Sequence, residues 1–326
     1  MTLPRRMFLR LAAASAILPA ASHAATAPGY PTRPVRIVVP VPPGGALDIL
    51  ARLVGQWLAG RMGQAFVVEN RPGAATNVGI EMVARAAPDG YTLLLGGTND
   101  NAIAPVLYKS LDYDPAKDFV PVSAVATDSN AIVVNPEVPV HTLAELASYT
   151  KANPGKLTSG ATQGIAPHLM LEFIRLRTGA DMVFVPYKGA APAIADVLGN
   201  HIQVNASAKS VLLPLIKDGR LRALAVSSAE RWPELPDVPT LRESGLDGFP
   251  TAVWFVLMAP AGTPPAVITR LNEAVNSHIL SEPIREGIRK IGLEPHVLAQ
   301  EVLAKVIADE TQLWQGVARE TGVHLE

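Results

Sequence analysis

Gly44, Gly45 and Ala46 are the residues of this chain best placed for chemistry, and the chemistry is anion binding rather than catalysis. They follow an apolar run, Val35 to Val39, that breaks into Pro40, Pro42 and Pro43. They precede a segment in which Ile49, Leu50, Leu53, Val54, Trp57 and Leu58 recur at helical spacing. A strand feeding a Gly-rich turn and a helix start presents backbone N–H groups with no partner inside the helix, at the positive end of its dipole. The turn falls at the carboxyl end of a strand, where α/β sheets bind ligands. Asp48 reads two ways: as a group touching a polar ligand, or as an acid complementing the dipole in the first helical turn.

Other polar residues sit in turns of the same kind. Thr76, Asn77, Thr98 and Asn99 follow strand-like runs; each alone reads as a cap or turn residue, and together they line one expected rim. In the second half, Gly160 to Gly164, with Thr162 and Gln163, precedes a helix near His168 and repeats the logic of the first loop. Pro167 suits a first helical turn. His168 reads as a packed or capping histidine rather than a base. Tyr187 ends a further strand, either reaching a ligand or burying its ring. Lys188 reads as a solvated cation, and Trp232, Trp254 and Trp314 as packing residues.

What is missing narrows the function. There is no G-x-S-x-G elbow, H-E-x-x-H or Walker sequence, and no G-x-G-x-x-G after a strand. The absence of cysteine excludes disulfides, thiolate metal sites and cysteine nucleophiles. The seven histidines are scattered, with no pair at helical ligand spacing. No metal, cofactor or enzymatic activity is expected. A net charge of −1 advertises no basic face, so nucleic acid is not an expected partner.

These residues need a frame, and the 326-residue chain supplies two domains' worth. Strand-like and helix-like runs alternate throughout, which predicts an α/β architecture with largely parallel sheets. The Pro- and Gly-rich stretch 231–250 leads back to an apolar strand at 252–260. The C-terminal helices at 265–280 and 298–321 then return to the first domain. The chain is expected to cross between domains twice, near 120–130 and near 250, around a cleft suited to a small ligand.

The start of the chain reads as an export signal. Arg5, Arg6 and Arg10 precede an apolar run, Leu11 to Ala21, and Ser22-His23-Ala24 offers small residues at the cleavage positions. Arg5-Arg6 also fits a twin-arginine pattern, with Pro4 where Ser or Thr is usual. Removing 1–24 takes three of the 28 basic residues and none of the 29 acidic ones, leaving a charge of −4. A soluble protein in an export compartment, the periplasm, is expected.

The order of motifs resembles one family. Tyr30 to Asp48, Val68-Glu69-Asn70-Arg71-Pro72-Gly73, Ala87-Pro88-Asp89-Gly90-Tyr91, Val185-Pro186-Tyr187-Lys188-Gly189, Leu235-Pro236-Asp237-Val238-Pro239-Thr240 and Ala259-Pro260-Ala261-Gly262-Thr263-Pro264 are similar to the tripartite tricarboxylate transporter receptors, also called the Bug family. The resemblance implies a two-lobed periplasmic binding protein of type II, with a ligand cleft between the lobes. Residues 28–125 and 251–326 would form lobe 1 and residues 126–250 lobe 2. It implies a receptor that captures a small organic carboxylate and hands it to membrane transporter subunits. Carried over, Gly44, Gly45 and Ala46 would cradle the carboxylate with Asp48 nearby. Asn77, Thr98 and Asn99 would complete the first wall, and Thr162, Gln163 and His168 the second.

Three departures fall in that pocket. Val41 stands where Phe is frequent. The 158–167 loop is about one residue short and lacks its usual serines. Val204-Asn205-Ala206-Ser207 replaces a stretch that often carries Asp, leaving Ser207 on the wall. They predict a ligand bulkier or less polar than a plain dicarboxylate. Two other readings stand beside transport: a ligand sensor docking on a membrane kinase, and a secreted enzyme using the same cleft, which the lack of a nucleophile–base pair disfavours.

Overall fold

Val35–Val39 forms β1 and runs into Ala46–Met62, α1. Leu50, Ala51, Val54 and Leu58 of α1 are buried on one stripe against Val35, Ile37 and Val39. Each large side chain so buried contributes about 1.5–3 kcal/mol. Gly63 ends the helix in the left-handed region at φ 71°, returning its N–H to Ala59. The computed structural model describes residues 29–73, 76–279, 281–298 and 300–325. The export signal assigned to 1–24 lies outside them.

The chain continues through β2 (Phe66–Asn70), α2 (Asn77–Ala84), β3 (Thr92–Gly97), a π-helical turn at Asn99–Ile103, α3 (Ala104–Leu107), α4 (Pro115–Asp118) and the long β4 (Phe119–Asp128). The second sheet follows: β5 (Asn130–Val134), α5 (Leu143–Ala152), β6 (Thr158–Thr162), α6 (Ala166–Thr178), β7 (Val183–Tyr187), α7 (Ala190–Leu198), β8 (Val204–Ala208), α8 (Lys209–Lys217) and β9 (Arg222–Val226). After a long connection come β10 (Val253–Pro260), α9 (Pro265–Ile279), α10 (Glu282–Lys290), β11 (Glu294–Pro295) and α11 (Gln300–Thr321).

Two sheets result, ordered β11-β4-β10-β3-β1-β2 and β7-β6-β8-β5-β9. Each has helices on both faces. In β5, Ile132 and Val134 face one core while Ala131 and Val133 face another, as the two-residue strand period requires. The sheets are mixed rather than largely parallel. β1–β2, β1–β3, β6–β7 and β6–β8 pair parallel, but β10 and β5 run antiparallel to their neighbours. These two strands begin where the chain arrives from the other sheet, so they run away from the junction while the parallel strands run toward it.

The second difference concerns α11. The sequence reading placed the whole helix on the first domain. Leu303 and Ile307 do pack under the first sheet, beside Val38, Ile80 and Leu94. Trp314, Val317 and Ala318 instead join the second sheet's core, with the Trp314 ring 5.3 Å from that of Phe249. Ala102, Ile103 and Leu107 cross over in the same way. The apolar stripe of a long helix buries whatever core it meets, and here it meets two.

Candidate functional site

Strand register shows where the loops converge. The end of β3 lies beside the start of β10, with Gly97 opposite Phe255, and the start of β10 lies beside the end of β4, with Val253 opposite Asp128. Two residues on, Asn130 at the start of β5 pairs with Ala208 at the end of β8. The carboxyl ends of β1, β2 and β3 and those of β6, β7 and β8 therefore all point toward the Asp128–Asn130 crossing. The loops carrying Gly44–Ala46, Asn77, Asn99, Gln163 and Gly189 stand on two facing rims. The rims touch where Asn99 Oδ1 accepts the Ala166 N–H at 3.2 Å.

On the first rim the Gly-rich loop is braced from behind. Asp48, only 3% exposed, accepts the Gly44 N–H at 2.9 Å and takes Arg52 Nη2 at 2.9 Å and Asn70 Nδ2 at 3.0 Å. Asn70 Nδ2 also donates to the Val41 carbonyl at 3.1 Å. Burial pushes the Asp48 carboxyl up, but the Gly44 amide, Arg52 and Asn70 outweigh it and hold the group below the usual carboxylate range. Asp48 thus braces the loop with both its oxygens filled.

The same brace commits the Gly44 N–H. The first bond of the α1 ladder runs from Ile49 N–H to Gly45 O, and Gly45 offers no side-chain cap. The Ala46, Leu47 and Asp48 amides precede that ladder and so have no partner within the helix. Around Gly44 and Gly45 no heavy atom comes within 4 Å of where a Cβ would stand. Val41 is half-buried and Ile49 is 38% exposed, giving the cradle an apolar flank.

Helix starts on the rims differ from those at the far ends of the strands. α4 and α5 are capped by Asp114 and Thr142 side chains, whereas α1, α2, α6 and α7 have no local side-chain cap. Capping of an ordinary helix start contributes about 0.5–2 kcal/mol, so its absence on the rim is a cost to folding.

The remaining expected residues separate into partners of the fold and residues of the rim. Thr98 is 3% exposed; its hydroxyl donates to Glu310 at 3.0 Å and accepts the Trp254 N–H at 2.8 Å, which corrects its reading as a ligand donor. Asn77 Oδ1 accepts the Tyr113 hydroxyl at 3.3 Å. Thr76, at φ 85°, donates to the fully buried Asp100, whose carboxyl burial pushes up.

On the second rim most amides of the expected cradle at 160–168 already have partners. Gln163 N–H goes to Tyr187 O, Gly164 N–H to His168 Nδ1, Ala166 N–H to Asn99, and both His168 and Leu169 N–H to Ile165 O. Pro167 has no N–H to give. The loop walls the cleft with the half-buried Thr162 and exposed Gln163 side chains rather than with backbone donors. His168 stacks on Phe184 at 4.2 Å, and burial lowers its pKa, so it is a neutral packed acceptor. Tyr187 lays its ring against Gly160, where a Cβ would lie 2.6 Å away, and its hydroxyl donates to Asp196 at 2.6 Å. Burial and then Asp196 push that hydroxyl up to about 12. Ser207 is buried on β8 opposite Ala131.

Two cavities, of about 220 and 190 Å³, lie at the crossings rather than over the Gly-rich loop. The smaller is lined by Asp128, Lys209 and Glu294. Lys209, 5% exposed, pairs with Glu234 at 3.2 Å and Glu294 at 3.1 Å and so links the two sheets. Burial pushes Asp128 up to about 7 against the Ser210 hydroxyl and the Ser129 amide. Sequence reasoning missed Asn70, Asp100 and Glu310, whose partners Asp48, Thr76 and Thr98 lie far off in sequence, and it missed Arg52 although that residue stands one helical turn from Asp48. Among the described residues no group of three or more metal-ligating side chains forms, and no helix is long and apolar enough to cross a membrane.

Two α/β units with facing loop rims define a two-lobed periplasmic binding protein of type II. The chain belongs to the tripartite tricarboxylate transporter receptor family, whose model matches residues 50–323; these are solute receptors, not enzymes. It is 38% identical to Protein BugT of Bordetella pertussis (strain Tohama I) over 299 residues, 91% of this chain and 92% of that one. Among solved structures, an R. palustris protein with adipate shares 36% identity with a TM-score of 0.83, covering 90% of this chain and 99% of that one. MatC from Rhodopseudomonas palustris with bound malate shares 31% identity with a TM-score of 0.79, covering 88% and 99%.

Proposed function

We propose that this protein is an exported receptor that binds a small organic carboxylate between its lobes and delivers it to a tripartite tricarboxylate-type membrane transporter. The observation that carries the reading is the uncapped start of α1, with the Ala46 and Leu47 amides lacking a partner within the helix and the Gly44–Gly45 side open. An oxyanion satisfies both donors and meets the helix dipole favourably. The relatives solved with adipate and malate support an organic acid as the ligand class.

The flank of the site narrows the class. Arg52, the cation on the first turns of α1, is committed to Asp48 and Asn70, so the ligand carboxylate rests on amides rather than on a guanidinium. Val41 and Ile49 favour an acid with an aliphatic or aromatic body. Lobe 1 comprises 28–125 and 251–326 and lobe 2 comprises 126–250, with the 99–107 segment and the end of α11 packed on lobe 2. The signal at 1–24 is removed near Ala24, giving a periplasmic protein.

A thermal-shift screen of ligand-stripped protein against mono-, di- and tricarboxylates, aromatic acids and amino acids tests the reading. A true ligand at a hundredfold excess over Kd stabilises by about 2.7 kcal/mol. A shift with one acid class supports it, and no shift with any acid defeats it. Sequencing the N-terminus of exported protein checks the cleavage.

A further inference from the structure

Thr98 and Asn99 are adjacent in the chain and tied to opposite sheets. Thr98 Oγ1 accepts the Trp254 N–H of β10, in the first sheet. Asn99 Oδ1 accepts the Ala166 N–H of α6, on the second. Asn99 thus reaches the second unit while both its neighbours stay with the first, since Asp100 accepts the Gly97 N–H at 2.9 Å. The backbones approach closely there, since a Cβ on Gly97 would lie 2.4 Å from the Trp254 carbonyl oxygen.

α11 passes between the units as well. Ile307 still packs on the first core and Trp314 already packs on the second. Glu310 falls between them, and its carboxylate accepts the Thr98 hydroxyl at 3.0 Å across 212 residues of sequence. Two crossing segments are therefore bonded to each other at the level where both cross. The carboxyl is half-buried in the junction and also takes the Trp254 side-chain N–H, so the bond forms where partial desolvation strengthens it.

We propose that Glu310 is a positioning residue that, through Thr98, pins the crossing of β3 to the crossing of α11 and so forms the pivot about which the two lobes open and close. Thr98 then stays with β10 and Asp100 with β3, and the hinge motion is taken up at the Asn99–Ala166 contact and in the turn beyond Asp100. The pivot fixes the separation of the two rims whether or not a ligand is present. Its effect on affinity rests on the receptor reading above; its effect on lobe separation does not.

The lack of cysteine makes the test clean, since Gln56→Cys on α1 and Ala144→Cys on α5 are exposed and accept one spin label each. The distance distribution between the labels is measured on the ligand-free mature chain by double electron–electron resonance. Glu310→Ala and Thr98→Val should each shift it toward longer and broader separations, and the double variant should shift it by less than the sum of the singles, although Thr98→Val also strands the Trp254 N–H. Glu310→Gln, which keeps an acceptor for the hydroxyl, should restore the wild-type distribution, as should Thr98→Ser. Adipate affinity measured by calorimetry should fall about fivefold in the two disabling variants. A wild-type distribution in Glu310→Ala and Thr98→Val overturns the proposal, and so does a Gln variant as loose as the Ala one. If Glu310→Ala does not fold, the Thr98→Val and Thr98→Ser pair decides. If adipate leaves the wild type unbound, the receptor reading loses its probe and the distance measurement still decides the pivot.

Discussion

Arg52 grips both carboxylate oxygens of Asp48, one turn earlier on α1, with Nε at 3.2 Å from one and Nη2 at 2.9 Å from the other. Asp48 passes the restraint on by accepting the Gly44 N–H. The Gly-rich loop is therefore braced by a negative charge buried behind it.

Removing that brace should hurt binding and stability together. Asp48→Ala strands the Gly44 amide, Asn70 and Arg52, and hydrogen bonds to a charged group contribute about 1.5–3 kcal/mol each. Urea denaturation should show a loss of that order. Asp48→Asn keeps an acceptor for Gly44 and should lose less. Equal losses in the two variants would mean that the backbone bond does not matter.

The junction should make the protein more stable in mild acid. Burial raises Asp128 and Glu310 to about 7 in the folded state, while the unfolded chain titrates in the usual carboxylate range. Across that window the folded form holds protons that the unfolded form has released, so stability falls as pH rises toward 7 and levels off above it. Asp48, with its lowered pKa, acts oppositely and loses its contribution only as the pH drops below about 4. His168 and His296, whose pKa values burial lowers, oppose the two carboxyls at the acid end of this window, so the carboxyls' share is read by removing them. Glu310→Gln with Asp128→Asn should flatten the decline between 5 and 7; an unchanged profile would remove both groups as its cause.

A tight spot on the second rim gives a purely steric test. A Cβ at Gly160 would lie 2.6 Å from the Tyr187 ring and 2.7 Å from Ile202. Gly160→Ala should cost about 1–3 kcal/mol through overpacking. Pairing it with Tyr187→Leu should recover part of the loss, in urea denaturation, only if the ring is the obstacle.

Much of this was legible in the sequence for a physical reason. β1, β3 and α1 announce themselves because apolar runs and helical spacing survive in one dimension, and the Gly44–Ala46 turn is local. Asp48 was legible as an acid in a first turn, but not as a brace, since Asn70 reaches it from β2. The 160–168 loop looked like a second cradle because Gly and Thr before a helix usually mean free amides. Asn99, 67 residues away, takes one of them, and local spacing carries no sign of that. The path of α11 onto both cores was hidden because its apolar stripe does not say which surface it covers.

The cradle itself is tested by one charge. Ala46 is half-buried at the first position of α1, and its amide has no partner within the helix, which makes it one of the donors the proposed cradle uses. Ala46→Asp puts a carboxylate where the ligand's oxygen should rest, so acid binding should disappear from calorimetry. The fold should not suffer, because an acid in the first helical turn gains about 0.3–1 kcal/mol from the dipole. Ala46→Asn, similar in size but uncharged, separates charge from bulk: it should weaken binding without abolishing it. Retained acid binding in Ala46→Asp at an unchanged melting temperature would move the anion away from α1 altogether.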